Sequence, residues 1–312
     1  MAAPLRNFVH WLSTKKALTD AIARRGMSHG FARRFVAGET LAEALTASQE
    51  LNAAECRISL NHLGENVTKE EEARLVRDTY LGMLRELAAR GIDGNISIKL
   101  TQLGLDIDRN LCQRFVAEIC EAAKSLERDI EVDMEGSSYT DSTLDIFEAT
   151  RRKHENIGVA IQAYLYRTEK DIERLKPLAP KIRLVKGAYR EPAKIAYQKT
   201  EEVNANYRRL LDRLLSGGYF PAIATHNESL LAYARELIKS RGLGTDRYEF
   251  QMIYGIRRDL QQQLRQQEHA LRVYVPFGSD WCPYFMRRLA ERPANCVFVL
   301  HSVIAEAFQP RK

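Results

Sequence analysis

Cysteine is scarce in this chain of 312 residues, and its five copies are spread widely between Cys56 and Cys296. They form no CxxC pair and their number is odd, so the sequence indicates neither a disulfide framework nor a zinc site. The histidines form no HxH or HExxH pair that would hold a metal ion. We therefore expect a protein without a bound metal, working in a reducing compartment such as the cytoplasm.

Long apolar runs are missing as well, because no stretch approaches the ~18 residues that a membrane span needs. Arg6, His10 and two lysines interrupt the first sixteen residues, which therefore lack the apolar centre of a signal peptide. The net charge is +6 with both signs interspersed, which gives no support for nucleic-acid binding. The positive balance would suit an anionic substrate, or peripheral contact at the inner face of the cytoplasmic membrane.

Two catalytic signatures are also absent. The only GxG, Gly242-Leu243-Gly244, follows a helical stretch and has no third glycine at the required place, so it indicates a helix stop rather than a dinucleotide site. No serine lies on a strand-to-helix elbow, which argues against a serine nucleophile. The chemistry must therefore be sought elsewhere in the chain.

What the sequence does contain is a regular alternation of strand-like and helical segments. The eight predicted strands are Cys56–Leu60, Ile96–Leu100, Ile130–Met134, Val159–Ala163, Ile182–Lys186, Ala222–Thr225, Tyr248–Met252 and Val273–Val275. Thr68 and Glu71 have the spacing of a capping box at the start of the first intervening helix. The pattern predicts an α/β fold, a (β/α)8 TIM-type barrel over residues 55–312 preceded by a helical arm over residues 1–54. An open, doubly wound sheet is the alternative.

Polar residues follow or end most of these strands, at the face of a barrel where active sites lie. They are Lys99, Asp133, Gln162, Arg183 with Lys186, Thr225 with His226, Gln251 and Tyr274, in strand order from the second to the eighth. Each has an ordinary structural explanation, such as an ion pair between Lys99 and Asp133 that closes the barrel mouth. Because burying so many polar groups costs free energy without adding to a core, the set together predicts a site.

The last predicted helix, from Pro283 to Arg292, carries adjacent arginines. Glu291 lies four residues after Arg287 and three after Arg288, so it can brace either guanidinium from the same helical face. Two fixed guanidinium groups suit a carboxylate ligand. A solvated charged face is the alternative explanation for this helix.

Five segments stand out together: Ile96–Leu100, Asp133-Met134-Glu135, the RLVKGAY motif at 183–189, ATHN at 224–227, and the YxxRRLxE motif that begins at Tyr284. With these segments, the chain resembles proline dehydrogenase. The resemblance extends in order over roughly residues 56–300. The helical arm resembles that of the short, monofunctional bacterial enzymes.

The resemblance implies that FAD lies across the top of the barrel and takes a hydride at N5 as L-proline becomes Δ1-pyrroline-5-carboxylate. Electrons would then pass to a membrane quinone. The residues implied for the cofactor are Met134, Gln162, Arg183, Val185, Lys186, Gly187, Ala188, Thr225, His226 and Gln251. Those implied for the substrate are Lys99, Tyr189, Tyr274, Tyr284, Arg287, Arg288 and Glu291, with Asp133 and Arg183 as the catalytic pair.

Tyr274 is implied to pack where hydroxyproline would place its hydroxyl group, which favours proline as the substrate. A related barrel flavoenzyme acting on hydroxyproline or another cyclic or N-substituted amino acid is the second hypothesis. A basic nucleic-acid-binding module is the alternative outside the enzymes.

Overall fold

The computed structural model describes residues 32–64, 67–281 and 283–284. Eight parallel strands pair in chain order, and the last pairs with the first, so the sheet is closed. The strands are β1 Arg57–His62, β2 Gly94–Ile98, β3 Ile130–Val132, β4 Ile157–Gln162, β5 Lys181–Val185, β6 Phe220–Ala224, β7 Glu249–Ile253 and β8 Leu271–Phe277. The predicted barrel is confirmed, and the alternative of an open sheet is wrong.

Among the described residues, one α-helix precedes β1, and one follows each of the first seven strands. They are α1 Leu41–Ala53, α2 Glu70–Ala89, α3 Arg109–Ser125, α4 Thr140–Arg151, α5 Thr168–Leu175, α6 Thr200–Ser216, α7 Glu228–Ser240 and α8 Arg258–Gln266. Helix α7 ends just before Gly242, whose φ of +60° agrees with the predicted helix stop. Beyond Tyr284, the helix predicted from Pro283 lies outside the described residues.

The start of α2 differs from the sequence prediction. The helix begins at Glu70 with Lys69 as its N-cap, and no side chain caps it, so the expected capping box of Thr68 and Glu71 is wrong. Three consecutive glutamates in the first turn favour this start, because negative charge is stabilised at a helix N-terminus. A capping box does occur in α1, where Thr40 and Glu43 bond each other reciprocally.

Helix α1 packs against β1 and β8. Ala44 and Leu45 of this helix belong to the same buried core as the barrel strands. Just before it, the Ala37 amide donates to the Pro276 carbonyl at 2.9 Å. The described part of the N-terminal arm therefore forms one layer with the barrel helices, and α1 ends at Ala53, next to the predicted boundary at residue 54.

The two faces of the barrel wall differ in polarity. Alternate strand residues such as Ile58, Ile98 and Val132 are fully buried in the apolar core that includes the surrounding helices. The intervening residues are polar, and their bonds join strands that are not neighbours in the sheet, as when Gln251 of β7 donates to Glu131 of β3. Such bonds must cross the inside of the barrel, so its interior is polar.

None of the helices within residues 32–64, 67–281 and 283–284 is long and apolar enough to span a membrane.

Candidate active site

A continuous row of ion pairs runs through the inside of the barrel, and we call it the ion ladder. Its seven members are Lys99, Asp133, Arg183, Glu131, Lys181, Glu249 and Arg272. At the upper end, where the strands finish, Lys99 Nζ lies 2.9 Å from Asp133 Oδ2. The other Asp133 oxygen accepts from Arg183, which also pairs with Glu131. The predicted ion pair of Lys99 and Asp133 is thus part of a longer array.

The lower half of the ladder continues from Glu131 towards the start of the strands. Lys181 Nζ lies 3.1 Å from Glu131 Oε1 and 2.8 Å from Glu249 Oε1. Arg272 Nε in turn lies 2.9 Å from Glu249 Oε1. The ladder holds four cations and three carboxylates, so one positive charge is not compensated within it. Sequence inspection missed this lower half.

Burial and pairing act in opposite directions on the charges at the mouth. Burial disfavours the ammonium form of Lys99, but Asp133 and the neighbouring tyrosines together more than offset it, so the pKa of Lys99 lies well above its usual value. Burial likewise opposes the charged form of Asp133, and the cations Lys99 and Arg183 outweigh it, so the Asp133 pKa is lowered. The same balance raises the pKa of Arg183, through Glu131 and Asp133. All three groups are therefore charged at neutral pH.

Tyr274 joins this group from the opposite wall. Its hydroxyl donates to Asp133 Oδ2 at 2.7 Å, and the Arg183 guanidinium lies 5.3 Å from its ring centroid. Burial, and then the nearby Asp133 carboxylate, raises the Tyr274 pKa well above its usual value. Tyr274 lies in the middle of β8 rather than at its end, and the structure nevertheless brings it to the predicted catalytic pair.

Gln162, the last residue of β4, directs an unused acceptor into the site. Its amide nitrogen donates to the carbonyls of Met134 at 3.2 Å and Glu135 at 2.7 Å. Its Oε1 atom is buried and accepts no hydrogen bond from any residue that the structure describes. Because a buried acceptor without a donor costs about 1 to 3 kcal/mol, this atom suits a ligand that supplies an N–H group.

The segment Val185–Ala188, predicted to carry the cofactor, is half-buried at the end of β5. Gly187 has a φ of +113°, and a β-carbon there would lie 2.3 Å from Cδ1 of the Tyr164 ring. The Lys186 carbonyl accepts from the Tyr164 amide at 2.9 Å, which holds the loop against the end of β4. Only glycine fits this position, because both the backbone angle and the ring exclude a side chain.

Neighbouring loops are tied together by carboxylates that sequence inspection did not single out. Glu135 accepts from the amide and the hydroxyl of Thr101 at 3.1 and 2.6 Å, which joins the loops after β2 and β3. Glu191 accepts from the Ser137 amide at 2.7 Å and from its hydroxyl, which joins the loops after β3 and β5. Glu135 lies inside the quoted motif Asp133-Met134-Glu135, but nothing in the sequence indicates its partner.

Three predicted site residues, two just after β6 and one on β7, make hydrogen bonds within the protein. Thr225 Oγ1 accepts from the Asn227 amide at 3.2 Å, and His226 Nε2 accepts from the Ile253 amide at 2.9 Å. Gln251 lies in the middle of β7, not at its end, and its Oε1 accepts from Arg183 Nε at 2.6 Å. The structure therefore places Gln251 inside the barrel, directly beside the ion ladder.

Some of the remaining predicted site residues are described by the structure, and others are not. Tyr284 is buried and Tyr189 is half-buried, whereas Arg190 is exposed. The predicted substrate residues Arg287, Arg288 and Glu291 lie outside the described residues. Within the described part of the chain, no group of three or more histidine, cysteine, aspartate or glutamate side chains is arranged to hold a metal ion.

The fold and these contacts make this protein a (β/α)8 barrel with a cationic site at the ends of its strands. The family model described as "Proline dehydrogenase" matches residues 44–301. The chain belongs to the proline dehydrogenase family, whose members are oxidoreductases.

Relatives of similar length support this assignment. The chain is 38% identical over 293 residues to proline dehydrogenase 2 of Bacillus subtilis, covering 94% of this chain and 96% of that protein. It is 38% identical over 290 residues to proline dehydrogenase of Deinococcus radiodurans, covering 91% and 93%. The resemblance to the short, monofunctional form is thereby confirmed.

A solved structure supports the fold alone. The crystal structure of proline utilization A from Bdellovibrio bacteriovorus, inactivated by N-propargylglycine, superimposes with a TM-score of 0.80 at 24% identity. The match covers 86% of this chain and 33% of that one. The barrel is therefore shared with one part of a much longer protein.

Proposed function

We propose that this protein oxidises L-proline to Δ1-pyrroline-5-carboxylate with bound FAD, and passes the electrons to a membrane quinone. The observation that carries the proposal is the upper end of the ion ladder, where Lys99, Asp133 and Arg183 meet Tyr274 beside the unused acceptor of Gln162. The cations of this cluster would bind an anionic substrate, and Gln162 would accept a hydrogen bond from an N–H group of a cofactor. Membership of the proline dehydrogenase family supports proline as that substrate and FAD as that cofactor.

On the substrate side, Lys99 offers a buried ammonium group to the proline carboxylate. Asp133 holds Lys99 in place at 2.9 Å, while Tyr274 and Arg183 hold Asp133. By family resemblance, Arg287 and Arg288, braced by Glu291, bind the same carboxylate, and Tyr189 and Tyr284 enclose the ring. Charge-assisted bonds of this kind fix orientation as well as affinity.

On the cofactor side, the residues at the ends of β4 and β5 fit a flavin. Gln162 presents an acceptor, the Met134 carbonyl accepts from the Gln162 amide nitrogen, and Gly187 lets the chain approach closely. Arg183 would face the reactive edge, and Val185, Lys186 and Ala188 would carry the loop. Thr225 and His226 would meet the adenosine part, and Gln251 would act from within the barrel by holding Arg183.

The reaction needs positioning more than acid–base chemistry. As the C=N bond of the product forms, the ring carbon beside nitrogen loses a hydride and the nitrogen loses a proton. FAD, when bound, supplies the two-electron acceptor for that hydride. The residues of this chain would hold the ring carbon towards the cofactor, exclude water and keep the proline amine neutral.

A quinone acceptor would place the protein at the cytoplasmic face of a membrane. Residues 1–31 and 285–312 contain ten of the 47 basic residues but only three of the 41 acidic ones. The positive excess of the chain therefore lies in these two terminal segments and not in residues 32–284. Each suitably placed cation contributes about 1 kcal/mol to binding an anionic lipid surface, which supports peripheral contact.

The test is anaerobic mixing of the purified yellow protein with L-proline. We expect the absorbance of oxidised flavin to disappear, and a short-chain quinone added afterwards to restore it. We expect trans-4-hydroxyproline to act at least about tenfold more slowly, because Tyr274 occupies the space of its hydroxyl. A protein that takes up no FAD would refute the proposal, and equal rates would favour the hydroxyproline alternative.

A further inference from the structure

Glu131 is the most deeply enclosed carboxylate of the ion ladder. It is fully buried on the inner face of β3, two residues before Asp133. It touches two cations of β5: Lys181, 3.1 Å away towards the start of the strands, and Arg183 on the side of the mouth. Since it lies below the mouth, neither substrate nor cofactor would reach it.

The guanidinium of Arg183 is held on every side. Its Nη1 donates to Asp133, and its Nη2 donates to Glu131 and, at 2.8 Å, to Ser97 Oγ. Its Nε donates to Gln251 Oε1 at 2.6 Å. The partners lie on three strands, β2, β3 and β7, or directly after β3, so they fix both the depth and the rotation of the guanidinium plane.

Glu131 bonds Arg183 directly and also contacts its partner Gln251. It accepts from Arg183 Nη2, and its Oε1 accepts from Gln251 Nε2 at 3.1 Å. The same Gln251 nitrogen donates to Glu249 Oε1 at 2.6 Å, so the two carboxylates together turn the amide oxygen of Gln251 towards Arg183. Without the Glu131 charge, Arg183 loses its lower anchor, whereas Glu249 still holds the Gln251 amide.

We propose that Glu131 is a positioning residue for the reaction: it holds Arg183 in the orientation that faces the cofactor. It acts only through Arg183 and Gln251 and touches no reacting atom. The proposal rests on the function proposed above, in which Arg183 lies at the reactive edge of FAD. The competing explanation is that Glu131 only balances buried charge.

Glu249 is the matched control for this distinction. It is also a buried carboxylate of the ladder, 1% exposed, and it also joins two cations, Lys181 and Arg272. Like Glu131, it accepts from Gln251 Nε2, at 2.6 Å, but it makes no hydrogen bond or ion pair with Arg183 among the described contacts. Substituting glutamine at either position removes the same charge from the same ladder and one acceptor from Gln251, but only the change at Glu131 removes a direct bond to Arg183.

The experiment compares Glu131→Gln with Glu249→Gln in the FAD-loaded protein. For Glu131→Gln we expect kcat with proline to fall about 10- to 100-fold, since small misplacements near a reacting centre have effects of this size. KM should change less than about threefold, because Lys99 stays in place. Glu249→Gln should keep kcat within about threefold of the parent.

Two measurements that do not depend on turnover complete the test. We expect Glu131→Gln to shift the visible absorption bands of the bound flavin and to weaken FAD binding at least about threefold, with little change of either in Glu249→Gln. Equal effects of the two substitutions on kcat and on the spectrum would overturn the proposal and leave Glu131 as a charge-balancing residue. If the parent protein fails to oxidise proline, the proposed function fails instead.

If Glu131→Gln does not fold, Glu131→Asp provides the test. It keeps the charge and shortens the reach by one methylene group, so charge balance survives while the contact with Arg183 is loosened. A lowered kcat with an unchanged KM then supports positioning. A kcat equal to that of the parent contradicts it.

Discussion

The outward and inward faces of the barrel strands are built from opposite kinds of residue. Outward side chains such as Ile98 and Leu184 pack with the helices in one apolar core, whereas the inward side carries the seven charges of the ion ladder. Apolar burial stabilises the fold by about 25 cal/mol per Å². Buried ion pairs add little, because desolvation cancels much of their attraction. The outer layer therefore accounts for stability, and the upper end of the ladder serves the proposed site.

The largest expected effect tests the lower end of the ladder. Arg272→Met leaves Glu249 with Lys181 as its only cation and removes a donor to the Ile58 carbonyl at 2.9 Å. We expect the free energy of unfolding to fall by about 3 to 5 kcal/mol, since a buried charge loses its partner. Urea unfolding followed by circular dichroism measures this loss.

The double substitution Arg272→Met with Glu249→Gln sharpens the comparison. It removes one cation and one anion together, so we expect it to recover about half or more of the stability lost in the single variant. If the losses in the free energy of unfolding from the two substitutions simply added, each ladder residue would stabilise the fold independently, as residues of the apolar layer do. The contrast between the two faces would then be wrong.

The outer layer is tested by two leucines of helix α2. Leu84 is fully buried, whereas Leu75 is 67% exposed. We expect Leu84→Ala to lower the free energy of unfolding by about 2 to 5 kcal/mol through lost burial and a cavity. Leu75→Ala should change it by less than about 0.5 kcal/mol. Neither change should alter KM for proline, and a large rise of KM in Leu84→Ala would show that the two faces are not independent.

A smaller effect is expected where the inner face meets the cofactor loop. Gly187→Ala places a methyl group against Tyr164 at a φ of +113°, at a cost of about 1 to 3 kcal/mol. The loop should shift, and the fraction of purified protein carrying FAD should fall. Gly218→Ala is the control, because Gly218 also has a positive φ, of +79°, but has open space around it. Equal FAD content in both variants would show that Val185–Ala188 is not the cofactor loop.

The sequence was sufficient to predict the barrel because its outward face leaves a clear signal. Each strand brings apolar residues at alternate positions, and each is followed by a helix, so the order of elements determines the class of fold. The mouth residues Lys99 and Asp133 were also predictable, since they directly follow their strands. Both predictions used local patterns alone.

The interior could not be predicted in the same way. Alternating polar residues such as Glu131 and Glu249 ordinarily mark the solvent side of a strand. Only closure of the sheet turns that side inward and brings β3 against β5 and β7 across the barrel. The ties between Glu135 and Thr101 and between Glu191 and Ser137 also depend on loop placement, which no local pattern specifies.

The smallest expected effect concerns His62, the last residue of β1, and the dependence of stability on pH. Burial lowers the His62 pKa, Lys99 adds to this, and Asp280 opposes it. Its Nδ1 atom is buried and makes no hydrogen bond within the described residues. The unfolded chain therefore takes up a proton at a higher pH than the folded one, so stability is lost as the pH falls below about 6.5. His62→Gln should remove this loss, and unfolding curves at pH 5 and pH 8 should then differ less than those of the parent. An unchanged difference would mean that other acidic-range groups, such as the ladder carboxylates, account for all of it.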